Sequence, residues 1–215
     1  MSHPVFQQRV YARDEVFVDG VVHATAIISS IVGSLYLLNQ SVHNETAKFA
    51  ALAVYLLALL SMLGFSAAYN LTPRSPLKWL LRRFDHSAIY VMIAGTYTPL
   101  LMHLPDTRLA LLLAAIVWIG ALAGVALKVF MPGRHDGLAV IAYLALGWVG
   151  IFEVSAFMAV LPKITMLLIV VGGLLYSAGV PFYLWEKLKF QNAIWHVFVV
   201  AAAATHFVAI AALYL

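Results

Sequence analysis

Seven mostly apolar stretches run along the chain, at residues 20–38, 47–69, 86–104, 107–130, 137–159, 164–184 and 193–215. Each is about as long as the 20 or so residues a helix needs to cross a bilayer. The connections between them are short and marked by helix breakers. Pro73 and Pro76 separate the second and third stretches, Pro105 the third and fourth, Met131-Pro132-Gly133 the fourth and fifth, and Pro162 the fifth and sixth. The connection at 104–107 is so tight that the helices it joins must be antiparallel neighbours. The pattern predicts an all-α, seven-helix transmembrane bundle over residues 20–215, preceded by a polar segment, 1–19. The opening MSHPVFQQRV lacks an adjoining short apolar run, so no cleaved signal peptide is expected.

Composition supports this reading. Of 215 residues, 64% are hydrophobic and 10% charged, against about 45–50% and 25% in soluble domains. An ordinary soluble enzyme and a disordered chain are both excluded. Too little sequence lies outside the apolar stretches for a separate DNA-binding, kinase or nucleotide-binding module. The chain has no cysteine, which removes disulfides, thiolate metal sites, iron–sulfur clusters and a cysteine nucleophile.

The net charge of +4 would suggest a nucleic-acid partner, but the placement of the basic residues explains it otherwise. Arg9, Arg13, Arg74, Lys78, Arg82, Arg83, Lys128, Arg134, Lys187 and Lys189 fall on one side of the expected membrane. Lys48, Arg108 and Lys163 fall on the other. The positive-inside rule then places the N-terminus in the cytoplasm and the C-terminus outside. The partner is the lipid bilayer, and no nucleic acid is expected.

Ionisable groups inside a membrane are costly and face the bundle interior or a cavity. Asp19 and His23 open the first stretch, Tyr69 and Asn70 close the second, Asp85 and His86 open the third, and Asn192 and His196 open the seventh. Four helices therefore bring polar groups to one level of the cytoplasmic leaflet. Asp19 with His23, and Asn192 with His196, are i,i+4 pairs that share a helix face. Two readings of this cluster stand side by side. One is a water-accessible cavity for metal binding or acid–base chemistry. In the other the histidines cap helices or bond to neighbours, and Asp85 stabilises a helix N-terminus. Nearer the outer side, Glu153 and His206 are placed to pair with each other. Gly120 and Gly124 form a GxxxG spacing suited to close packing, and Pro99 should kink the third helix. His3, His43, His103 and His135 fall in the tail and loops. The fourth and sixth stretches offer few polar residues to line an aqueous pore. The seventh has no lysine for a retinal Schiff base, and the cytoplasmic N-terminus is opposite to that of G-protein-coupled receptors.

The run Arg83-Phe84-Asp85-His86-Ser87-Ala88-Ile89-Tyr90, continuing through Val91-Met92-Ile93-Ala94-Gly95-Thr96-Tyr97-Thr98-Pro99, closely resembles the hemolysin III family. That family is the bacterial branch of the progestin and adipoQ receptors, which include the adiponectin receptors. Ala193-Ile194-Trp195-His196-Val197-Phe198-Val199 with His206 resembles the family's last helix, and Glu15 with Asp19 and His23 its first. The resemblance implies a multi-pass protein of the bacterial inner membrane. It also implies a zinc site near the cytoplasmic face, held by three histidines, with Asp85 beside a metal-bound water. The implied chemistry is hydrolysis of a lipid amide, with Asp85 and His196 catalytic. Asp19, His23, Ser66, Tyr69 and His86 would surround a lipid-like substrate. The family name records instead a haemolytic, pore-forming activity, which leaves a pore, or a lipid or stress sensor without metal, as the alternative. The family pattern has histidine at positions 70 and 192, where this chain has Asn70 and Asn192. Two expectations follow. Either the metal is replaced by an asparagine network joining the second, third and seventh helices, or the site has moved to His23, His86 and His196 with Asp85 as base.

Overall fold

A computed structural model describes residues 9–133 and 136–215; His3, Arg134 and His135 lie outside the described residues. The described chain is all-helical. Its elements are α1 (Arg13–Gln40), α2 (Thr46–Leu71), α3 (Pro76–Leu101), α4 (Thr107–Phe130), α5 (Asp136–Gly147), a 3-10 turn (Val149–Glu153), α6 (Val154–Val160), α7 (Lys163–Leu184) and α8 (Gln191–Tyr214).

Local chemistry sets the boundaries. The Glu15 carboxylate reaches back to the Ala12 N–H at 2.9 Å, satisfying a donor that the first turn of a helix leaves open. Ser75 accepts from the Lys78 N–H at 3.2 Å and is followed by Pro76, a proline that fits the first helical turn. Asp106 accepts from the Arg108 and Leu109 N–H groups at 2.9 and 3.2 Å. At the end of α2, the Lys78 ammonium donates to the carbonyls of Tyr69, Asn70 and Thr72 at 2.7, 3.2 and 2.8 Å, a cation placed where the helix dipole is negative.

These caps correct two expected boundaries. The first helix begins at Arg13 rather than at residue 20, and the third runs from Pro76 to Leu101 rather than over 86–104. Charged first turns hid both starts from an apolar count. Asp85 therefore lies more than two turns inside α3, too deep to act on that helix's N-terminal dipole. The expected fifth helix, 137–159, is broken by the 3-10 turn after Trp148.

Among the described residues, six segments are long and apolar enough to cross a membrane: Arg13–Gln40, Thr46–Leu71, Thr107–Phe130, Asp136–Val160, Lys163–Leu184 and Gln191–Tyr214. Helix α3 is equally long but carries Lys78, Arg82, Arg83, Asp85 and His86. It packs along α2 on one side and α4 on the other. The remaining close neighbours are α1 with α2 and α8, and α7 with α8. The helices thus follow the order α4, α3, α2, α1, α8, α7, and the broken α5–α6 pass touches α3, α4 and α7.

Small residues permit the close approaches. A Cβ on Gly124 of α4 would lie 2.4 Å from the Tyr90 ring of α3. The GxxxG spacing therefore serves packing within the chain. The buried core draws on α2 and α3 (Leu52, Tyr55, Leu59, Tyr90, Ala94, Leu101), with Val117 of α4 and Ile210 of α8.

Candidate active site

Three short stripes build the site. On α1, Glu15, Asp19, His23 and Ala26 are buried along one face. Ser66 and Asn70 stand i,i+4 on the last turns of α2, and Asn192 and His196 stand i,i+4 on the first turns of α8. Because α1 packs against both α2 and α8, the stripes meet.

At their meeting point the Asp19 carboxylate lies 2.5 Å from His196 Nδ1 and 3.7 Å from His23 Nε2. It also accepts from the Asn192 amide at 2.9 Å. The same amide nitrogen donates to Asn70 Oδ1 at 3.0 Å, and Asn70 Nδ2 donates to the Ser66 carbonyl at 2.9 Å. The other face of the His196 ring edge is its Nε2, 3.4 Å from Ser66 Oγ and 3.5 Å from Asn70 Nδ2. The His23 and His196 rings lie 4.4 Å apart. Asp19, His23 and His196 are 3%, 2% and 5% exposed, so their charges and dipoles act on one another with little water to screen them. Among the described residues, neither ring nitrogen of His23 has a hydrogen-bond partner.

The cluster is anchored from the N-terminal side. Arg9 donates to the carbonyls of Glu186 and Leu188, the latter at 2.9 Å, and to the Glu15 carboxylate at 2.8 Å. Glu15 also accepts from the Phe190 N–H at 2.9 Å, where Phe190 turns the chain into α8 with φ 59°. Tyr11 donates to the Gln191 side chain at 3.2 Å. Burial pushes the Tyr11 hydroxyl up to about 12, with nearby Arg9 opposing, so it keeps the proton it donates. These contacts fix α1 against α8 one turn before Asp19 meets His196. From the sequence Arg9 has only a topological role and Tyr11 and Gln191 have none, because no periodicity links residue 9 to residue 190.

A cavity of about 400 Å³ opens from this cluster into the bundle, within the range of small-molecule sites. Its polar end carries His23, Ser66, Asp85, His86 and His196; its body is lined by residues such as Ile93, Leu144, Val170 and Val180, and its far end includes His206. Asp19 stands behind His196, away from the cavity wall. Asp85 Oδ2 lies 3.3 Å from His86 Nδ1. Tyr69 packs edge-on against His86, with ring centroids 6.0 Å apart. Asp19, His23 and His196 each offer a donor atom within 4.8 Å of the others, a group that could hold a metal ion; His86 is outside it. The expected Glu153–His206 pair does not form. His206 instead bonds the Ile169 carbonyl at 3.1 Å, where Gly172 leaves room for its ring.

The family described as Haemolysin-III related matches residues 12–207. Hemolysin-3 of Bacillus cereus is 32% identical over 208 residues, covering 96% of this chain and 94% of the relative. The Hemolysin-3 homolog of Bacillus subtilis (strain 168) is 35% identical over 197 residues, covering 90% and 91%. The human Monocyte to macrophage differentiation factor is 28% identical over 196 residues, covering 87% and 79%. No solved structure matches significantly. With a match across nearly its whole length and two bacterial relatives above 30% identity, the chain belongs to the haemolysin III-related family of membrane proteins.

Proposed function

We propose that this chain is a seven-pass inner-membrane protein, N-terminus in the cytoplasm, that hydrolyses the acyl bond of a lipid amide or ester taken from the bilayer. In this reading residues 1–19 face the cytoplasm and residues 20–215 form the membrane domain. One observation carries the reading: a buried carboxylate–imidazole pair, Asp19–His196, backs onto an apolar cavity whose polar end also holds Asp85 and His86. The cavity body suits an acyl chain, and the polar end suits the bond to be cut. His196 and Asp85 are the groups placed for proton transfer. The α3 motif supports the seventh pass: polar residues of a membrane helix belong against protein, and α3 lies between α2 and α4.

Zinc, which the family resemblance implies, does not fit positions 70, 192 and 196. The Asn70 and Asn192 amides are hydrogen-bonded to each other, and an amide oxygen is a poor zinc ligand beside imidazole or carboxylate. A second reading of how the nucleophile is activated rests on the partnerless ring nitrogens of His23. With Asp19 and His196 they make a two-histidine, one-carboxylate donor set, a type known for divalent ions. An ion there would polarise a carbonyl and acidify a bound water.

The test is fatty-acid release, read by mass spectrometry, from N-acyl and ester lipids by purified protein in nanodiscs. Wild type should release the acid, and His196→Gln, still folded and lipid-embedded, should lose that activity. No release from any lipid, with leakage of dye-loaded liposomes, would replace the hydrolase by a pore.

A further inference from the structure

We infer that Ser66, His196 and Asp19 form a serine-nucleophile triad, so that hydrolysis proceeds through an acyl ester on Ser66; this rests on the hydrolase reading above. The geometry has the ordered contacts such a triad needs. Ser66 Oγ faces His196 Nε2 at 3.4 Å, and His196 Nδ1 faces Asp19 Oδ1 at 2.5 Å. The serine–histidine distance is at the loose end of hydrogen-bond reach, as is common before substrate binds. Ser66 and His196 line the cavity, and the carboxylate lies behind the imidazole. Three helices contribute one group each: α2, α8 and α1.

The contacts assign the tautomer. Asp19 accepts only, so Nδ1 carries the proton and Nε2 is free to take one from Ser66. Ser66 Oγ attacks the carbonyl carbon of the acyl group as its proton passes to Nε2. The carbonyl electron pair moves onto oxygen. The Asn70 amide, 3.3 Å from Ser66 Oγ, is the side-chain donor placed nearest that oxyanion. Collapse breaks the carbon–nitrogen or carbon–oxygen bond, and the leaving group takes the proton from Nε2. Water then adds to the Ser66 ester, giving its proton to Nε2. Collapse breaks the carbon–Oγ bond, returns the proton to Ser66 and releases the fatty acid. Asp19 is a positioning residue: it holds the ring and stabilises the transient imidazolium.

Both nitrogens of His196 are engaged in this arrangement, one by Asp19 and the other by the Ser66–Asn70 pair. A metal on Asp19, His23 and His196 would have to displace one of these contacts, so triad and metal compete for the same atoms.

The experiment treats purified full-length protein in nanodiscs with a long-chain alkyl fluorophosphonate, followed by peptide mass spectrometry. The same sample is assayed for lipid hydrolysis with and without EDTA. The expected result is a phosphonate adduct on Ser66, loss of hydrolysis on labelling, and no effect of EDTA. Asp19→Asn should slow labelling by at least about 100-fold while its melting temperature stays near wild type. Hydrolysis that EDTA abolishes and Ser66→Ala retains would overturn the triad and leave the hydrolase standing. Hydrolysis without labelling at Ser66 would do the same, and needs no variant. Labelling of Ser66 without release from any lipid would support the triad but not the lipid substrate. Absence of both labelling and hydrolysis would overturn triad and hydrolase together.

Discussion

Asp19, seven residues into the first helix counting from Arg13, contacts His196 near the start of the last, 2.5 Å from carboxylate oxygen to Nδ1. The two ends of the chain thus close the bundle through one buried pair. That contact orients the ring whose other nitrogen looks toward Ser66 and the cavity. The orientation of the His196 ring is therefore set by how the first and last helices meet.

The anchoring of α1 against α8 should be measurable as stability. Glu15→Ala leaves the Ala12 and Phe190 N–H groups without their acceptor. Ala12 is exposed and Phe190 half-buried, so water takes over part of the lost bonding, and the variant should lose about 1–2 kcal/mol and melt lower. Asp14→Ala removes only an exposed pair with Lys189 and should melt like wild type. Thermal denaturation in detergent checks both.

Close packing of α3 on α4 predicts a steric effect. In Gly124→Ala the new methyl would sit 2.4 Å from the Tyr90 ring, so the helices must separate, at about 1–3 kcal/mol. In Gly64→Ala the new methyl meets none of the described residues within 4 Å, so the variant should be neutral or slightly stabilising. Equal melting temperatures for the two variants would contradict the packing described.

An acyl chain in the cavity predicts a change in chain-length preference. Ile93 lines the cavity body, and Ile93→Phe fills part of its volume. The variant should favour shorter acyl groups over the longest that wild type accepts, seen as a shift in the products released from a mixed-chain lipid. An unchanged product profile would place the chain elsewhere.

Orientation is directly testable because the chain contains no cysteine. Asn44→Cys lies between α1 and α2, and Ser75→Cys between α2 and α3. An impermeant maleimide should label Asn44→Cys on intact cells and Ser75→Cys only after lysis. The reverse pattern would invert the topology.

Much of this fold is legible in the sequence. Runs of apolar residues locate the helices, since only a helix satisfies its own backbone in lipid. That Asp19, His23, Asp85 and His196 gather at one end of the bundle follows from counting along those runs. Facing does not. That Asp19 meets His196, and that His206 bonds the Ile169 carbonyl rather than Glu153, depends on how small residues let helices rotate against each other. Gly33 beneath the Phe207 ring and Gly172 beneath His206 are two such places. The break after Trp148 was equally hidden. Gly147 and Gly150 flank it, but no proline marks it. From the sequence Ser66 is expected only among the residues around a lipid-like substrate, because its contact with His196 spans α2 and α8.

The central claim is that this polar cluster cuts an acyl bond, and the most direct test is oxygen-18 incorporation. Purified wild-type protein in nanodiscs, given a lipid amide or ester in H2(18)O, should release fatty acid carrying one labelled oxygen. His196→Ala should reduce that release by at least about 100-fold. No labelled acid above a protein-free control, from wild type that is folded and lipid-embedded, would contradict the account.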